Sequence, residues 1–176
     1  MKNLIRAGLG IMLALTLIGC QDGDLSLPNP IAVTNESIGN YCGMVLTEHA
    51  GPKAQVFEKH HSSPLWFSSV KDAIVYLTLP GEAQDAVVTY VHDMAKAESW
   101  ENPQNDGIWI DVRDAYFVIG SQKLGGMGMP EFAPFSVAEK AAEFAKEHGG
   151  KVVRLSQITN ADLALVDPAP EMHSHN

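Results

Sequence analysis

Between residues 38 and 166, short β-prone runs give way to a single helix-like stretch, and this happens twice in the same order. In the first half, residues 44–46 and 54–57 read as short strands, and Pro64-Leu65-Trp66-Phe67 leads into a helix opening at Ser68/Ser69. Val70, Ala73, Ile74 and Leu77 recur there at helical spacing until Pro80-Gly81 stops the helix. A run with Val87-Val88-Thr89-Tyr90-Val91 then reads as a strand over residues 86–92. In the second half, residues 108–112 and 115–119 are strand candidates, and Gly125-Gly126 with Gly128 and Pro130 makes a loop. Phe135-Ser136 opens a helix in which Ser136 and Glu139 stand at capping-box spacing. Ala138, Ala141, Ala142 and Ala145 fill that helix, Gly149-Gly150 ends it, and Val152-Val153-Arg154-Leu155 gives a closing strand. The pattern predicts an α+β fold of two similar ββαβ units in tandem. Phe67-Ser68-Ser69-Val70 beside Phe135-Ser136-Val137-Ala138, and Val87-Val88 beside Val152-Val153, suggest a duplication, although amphipathic helix starts also resemble one another by chance.

The start of the chain sets its compartment. Lys2 and Arg6 precede an apolar run over residues 7–18, too short for a stop-transfer helix, and Leu17-Ile18-Gly19-Cys20 closes it as a lipobox. Cleavage before Cys20 and acylation of that cysteine anchor a protein by more than one chain without a membrane span. Of the 176 residues, loss of residues 1–19 leaves 157 and removes two basic residues and no acidic one, so the formal net charge moves from −9 to −11. That balance argues against nucleic acid and against an electrostatic grip on anionic lipid.

The expected division is a signal peptide over 1–19, a tether over 20–37, a first ββαβ unit over 38–98 and a linker over 99–107. A second unit over 108–166 follows, with Thr159 and Asp162 at cap spacing for a short last helix, and then a disordered tail over 167–176.

With Cys20 taken up by lipid, Cys42 is an odd cysteine in an oxidising compartment, which points to a metal, a reactive thiol or a dimer. Cys42 and Met44 stand two apart, a spacing that in a strand puts both sulfurs on one face, with Gly43 open to close approach. Thiolate beside thioether is a soft donor set, suited to Cu(I) and poor for a structural zinc site. Met127 and Met129 form a second sulfur cluster in a loop too glycine-rich to read simply as core, although methionine often fills gaps. His49 either joins the site as an imidazole ligand or caps the Gly51-Pro52 turn. His60-His61 reads as a polar loop, His92 as a strand end, and Met172-His173-Ser174-His175 as an accessory metal-binding tail at best. Lys53, Glu48 and Glu58 read as solvated charges, and Asp111, Arg113 and Asp114 as the wet face of a strand. No Ser/His/Asp spacing, phosphate loop or paired carboxylates stand out.

Taken together, the lipobox, Cys42-Gly43-Met44, His49, Gly51-Pro52-Lys53-Ala54-Gln55, Trp66-Phe67-Ser68 and Asp114-Ala115-Tyr116-Phe117-Val118-Ile119-Gly120-Ser121 resemble the NosL family. Met127-Gly128, Pro134-Phe135 and Gly149-Gly150 extend the likeness over nearly the whole mature chain. Members of that family are lipoproteins accessory to nitrous-oxide reductase. The resemblance implies a non-enzymatic Cu(I) metallochaperone that helps load the copper sites of that reductase, working with the NosD component of the NosDFY transporter. It also implies two ββαβ units with a topology shared with organomercurial lyase. By motif it carries over Cys42 and Met44 as leading copper ligands and Met127 as a further one, and it leaves Met129 and the tail open. Gln21 after the lipidated cysteine points to the outer membrane, on the periplasmic side. The competing classes are a cysteine-dependent enzyme related in fold to the lyase, and a structural surface lipoprotein.

Overall fold

The computed structural model describes residues 26–81, 83–103 and 107–164. The signal peptide, Cys20 and the 167–176 tail lie outside them. β1 (Ala54–Glu58) pairs antiparallel with β2 (Leu65–Phe67), α1 (Val70–Thr78) follows, and β3 (Ala86–His92) returns antiparallel along the other side of β1. β5 (Tyr116–Ile119), β6 (Ala133–Phe135), α2 (Ala138–His148) and β7 (Lys151–Arg154) repeat the same path, with β5 between β6 and β7. The protein is therefore α+β, with two ββαβ units of one topology, as the repeated pattern predicts.

Register tests the internal match. Phe67 ends β2 and pairs with Ala54, Phe135 ends β6 and pairs with Tyr116, and each helix begins three residues after its phenylalanine. The Phe-Ser helix entries are thus equivalent positions. The Val-Val pairs are not: Val153 faces Phe117, the counterpart of Gln55, whose partner in β3 is Tyr90.

The two units share one core. Phe67, Val70 and Ile74 from the first meet Phe117, Ile119 and Val153 from the second in a single buried cluster, and burying side chains of this size stabilises by about 1.5–3 kcal/mol each. α2 covers the second sheet with Ala141 and Phe144 against Val118 and Phe135. Asp93 ties the units together, its Oδ1 accepting from the Ser136 amide at 2.8 Å, and the Met94 amide donates to the Pro134 carbonyl at 2.8 Å.

Four expectations are corrected. Residues 44–46 do not form a strand: Val45 makes one isolated bridge to Ile38, and Leu46–Glu48 turn into a short 3-10 helix. Gly43 at φ 66° breaks the extended path just before them. Residues 108–112 were expected in the second unit, yet β4 (Trp109–Asp111) pairs with β3 and extends the first sheet. The open edge of β3 supplies a complete ladder, and a turn closed by the Asp114 amide on the Asp111 carbonyl then redirects the chain to β5. Residues 26–37 are not a free tether, because they lie along the first sheet. The buried Gln55 amide exchanges two hydrogen bonds with Ile31, and the Tyr90 hydroxyl donates to the Pro28 carbonyl. The Ser136–Glu139 capping box does not form, since Val137 precedes α2 without a side-chain cap and the Ser136 amide is already held by Asp93. Elsewhere the capping expectations agree with the structure: the Ser69 hydroxyl caps α1 through the Asp72 amide, and Thr159 with Asp162 caps α3 (Asn160–Leu163).

The turn from α2 into β7 rests on Gly150 at φ 92°, where a Cβ would lie 2.5 Å from the Ile119 carbonyl oxygen. Gly150→Ala is expected to lower stability by about 2–3 kcal/mol, from a strained φ plus a backbone clash, read as the urea midpoint.

Candidate metal centre

Cys42 sits in a loop folded tightly against β2. The Gly43 amide donates to the Gly39 carbonyl at 2.8 Å, the Gly39 amide to the Met44 carbonyl at 2.9 Å, and the Asn40 amide to the Trp66 carbonyl at 2.6 Å. Cys42 and Met44 therefore do not share a strand face, because a left-handed Gly43 stands between them. The turn instead seats the thiol. Cys42 Sγ lies 3.4 Å from Ser68 Oγ, just ahead of α1, and a Cβ on Gly39 would come within 2.5 Å of the sulfur. Met44 stays 38 % exposed.

The second cluster rides on a compact loop. The Gly125 amide donates to the Met129 carbonyl and the Gly128 amide to the Gly125 carbonyl, both at 2.9 Å, while Met127 and Met129 remain 48 % and 45 % exposed. Both methionines line a small cavity with Ser69, Asp72 and Glu131. Glu131 is the loop's root, accepting from the Lys71 amide at 3.0 Å and the Phe132 amide at 2.8 Å. The fold thus brings Cys42 and the methionine loop to the same end of α1, on either side of Ser68-Ser69.

His49 joins the two halves. It is only 7 % exposed, its Nδ1 lies 3.3 Å from the Gly126 carbonyl oxygen, and its ring packs so close to Gly126 that no Cβ could be added there. With Nδ1–H donating to that carbonyl, Nε2 carries the lone pair, and Nε2 finds no hydrogen-bond partner among the described residues. That tautomer is the one a metal-binding imidazole needs.

Beneath His49 lies a buried charge. Lys53, read as a solvated charge, is fully buried, and its ammonium donates to the carbonyls of His49 (2.7 Å), Ala50 (3.0 Å) and Gly51 (2.5 Å). Burial lowers its pKa from 10.5 to about 8, opposed by the nearby charges of Glu131 and Cys42, so it stays cationic at neutral pH. Glu131 is pushed up from 4.5 to about 7 by burial, with the Lys71 and Phe132 amides and the Ser69 hydroxyl pulling the other way. The Lys53 amide in turn donates to His92 Nδ1 at 3.3 Å, and the His92 ring packs at 4.0 Å on Trp109. His92 lies at the end of β3, as expected, and burial followed by the Lys53 charge depresses its pKa to about 3.

Trp100, in the stretch expected to be a linker, is a brace. Its carbonyl accepts from the Gly51 amide at 2.7 Å, its indole N–H donates to the Leu124 carbonyl at 2.9 Å, and its ring stacks on Phe144. Gly51 also approaches Gly125 closely. Signals for some of this were available: Gly51-Pro52 announces a turn, and a lysine inside it is a ready donor to the turn's carbonyls. Among the other charges, Glu58 accepts from Tyr76 and pairs with His61, and Arg113 forms an exposed fork on Asp111.

The sequence profile of the NosL family matches residues 30–163, a span that contains every described residue of this site. The chain belongs to the NosL family. Two relatives named copper-binding lipoprotein NosL agree with it throughout. That of Achromobacter cycloclastes is 42 % identical, over 92 % of this chain and 83 % of its own length. That of Stutzerimonas stutzeri is 34 % identical, over 98 % and 90 % respectively. The crystal structure of the copper chaperone NosL from Shewanella denitrificans superposes with a TM-score of 0.70 at 34 % identity, covering 76 % of this chain and 97 % of that one.

Burial of Lys53 and of a neutral His92 sets how stability responds to substitution and to pH. Lys53→Met leaves three carbonyls without their donor and is expected to lower stability by about 3 kcal/mol, read by urea unfolding at pH 7. For His92 the folded pKa of about 3 lies below the unfolded value of 6.5. The residue is neutral in both states above pH 6.5, and below it only the unfolded chain takes up a proton. Stability then falls by about 1.4 kcal/mol per pH unit towards pH 3. His92→Phe should cost about 1–2 kcal/mol at pH 7 by orphaning the Lys53 amide, and should remove that part of the acid slope in a pH series of unfolding midpoints.

Proposed function

We propose that this protein is a Cu(I) carrier, lipid-anchored at Cys20 on the periplasmic side, that delivers copper for assembly of the copper sites of nitrous-oxide reductase. The observation that carries the reading is the placing of a seated thiol on Ser68 and of the half-exposed Met127 and Met129 beside Ser69, with a buried imidazole against the same loop whose Nε2 has no partner among the described residues. The copper-binding names of the relatives support the choice of metal. Softness supports the oxidation state, since one thiolate with neutral thioethers suits Cu(I) better than a hard or tetrahedral divalent ion.

In this reading Cys42 is the anionic ligand, Met44 and Met127 supply thioethers, and His49 and Met129 are the further donors open to the ion. Thiolate and Cu(I) cancel in charge, which lowers the cost of holding the ion partly out of water. Neutral ligands at the exposed rim give way one at a time to a partner's donors, so the metal passes by ligand exchange without release. The partners we infer are the NosD component of the NosDFY transporter and, through it, the reductase. The chemistry is carriage and transfer, with no bond made or broken beyond those to the metal. The outer membrane is the proposed home of the anchor.

Titration with Cu(I) against a chromophoric chelator is expected to show about one tight equivalent, and Cys42→Ser to weaken it by about tenfold or more. Undiminished affinity in Cys42→Ser would sink the assignment. Met44→Leu and Met127→Leu should each weaken binding less while leaving the melting transition unchanged. X-ray absorption on the Cu(I) form then counts sulfur against nitrogen scatterers, separating Met127 from His49.

A further inference from the structure

Residues 26–37, packed along the first sheet, fix where the chain leaves the folded body. Ser26, Leu27 and Pro28 line a groove with Glu58, His60 and Val87, at the far ends of β1 and β3 from Lys53 and His92. Pro28 is held by the Tyr90 hydroxyl, Ile31 by Gln55, Ser37 by the Leu46 amide, and Gly39 by a bridge to Trp66. The strap therefore runs the length of the sheet from its exit pole to the Cys42 loop. α1 points the same way: it starts beside Cys42, and the Asp85 carbonyl that follows it accepts from the Lys59 amide at 2.9 Å. Five residues of β1 and nine of α1 each cover about 13 Å of the way between the two poles, and the loops beyond their ends carry the rest.

From this we infer an interaction surface: the pole formed by Leu27, Lys59, His60, His61 and Val87 faces the bilayer that carries the anchor, and the metal centre faces away from it. The inference rests on the proposed lipidation of Cys20 and goes beyond it. Six Cα steps separate Cys20 from Ser26, a reach of about 20 Å at full extension. A globular body of about 140 residues has a radius of roughly 18 Å, so turning the opposite pole to the membrane would need about 55 Å of chain around its surface. The tether is too short by more than half. The surface held near the lipid is mixed rather than basic, with Lys59 paired to Asp85 and His61 to Glu58, so chain length sets the orientation and charge does not. A copper donor or acceptor must then approach from the aqueous side.

The test uses the lipidated protein in phosphatidylethanolamine–phosphatidylglycerol vesicles carrying a headgroup quencher. A fluorophore is placed at His61→Cys or at Glu48→Cys, each in a Cys42→Ser background. Flotation and intact mass report the anchor separately, and Cys20→Ala should abolish flotation. With the anchor in place, strong quenching at 61 and a level at 48 matching the soluble protein are expected. Equal quenching at both, or more at 48, would overturn the orientation. Lengthening the stretch between Gln21 and Ser26 with a long Gly-Ser insert should erase the difference between the two labels. A difference that persists would show that the tether does not set it.

Discussion

The fully buried Lys53 ammonium underlies the arrangement around the candidate metal centre. Three consecutive carbonyls at residues 49–51 converge on Lys53 Nζ, which would be an unfavourable crowding of dipoles without the charge at its focus. That cluster holds His49 at the angle that meets Gly126, and Gly51 at the distance that admits Gly125 and Trp100. The methionine loop belongs to the other unit and meets the first through these glycine contacts and through Glu131, which accepts from the Lys71 amide. Its position therefore depends on the lysine as well as on its own buried carboxylate.

The two sulfur types are exposed to different degrees for a physical reason. The thiol is the stronger ligand and the more easily oxidised group, and it is half-covered, with Gly39 beneath it and Ser68 beside it. The thioethers of Met127 and Met129 stand nearly half exposed at the rim, and in the proposed role weak, readily exchanged ligands belong there.

Much of this was legible in the chain. The two helices with their Gly and Pro stops were legible from period, and the Phe-Ser helix entries marked equivalent positions, whereas β2 and β6, three residues each, were hidden as a helix lead-in and the end of a glycine loop. The short sulfur motifs could be singled out because their residue types are rare and chemically narrow. What could not be read depended on long-range partners. A three-residue apolar run at 44–46 has no strand identity until a neighbour offers a ladder, and the run at 109–111 took the edge of β3 rather than joining the following unit. Lys53 looked solvated because nothing local reveals that three carbonyls will close over it, and Trp100 looked like linker because its partners lie on both sides of the site.

The internal pseudo-symmetry is broken where it would matter most. Ser68 and Ser136 are equivalent positions, each following the phenylalanine that ends a strand. At the first the hydroxyl faces a thiol, whereas at the second the backbone amide is taken by the Asp93 carboxylate, which fastens the two halves together. One copy of the unit sets a thiol against its helix entrance, and the other uses the same place to join the two halves. The duplicated architecture therefore yields an asymmetric molecule, in which the first half seats the thiol and the second presents its methionine loop to the same end of α1.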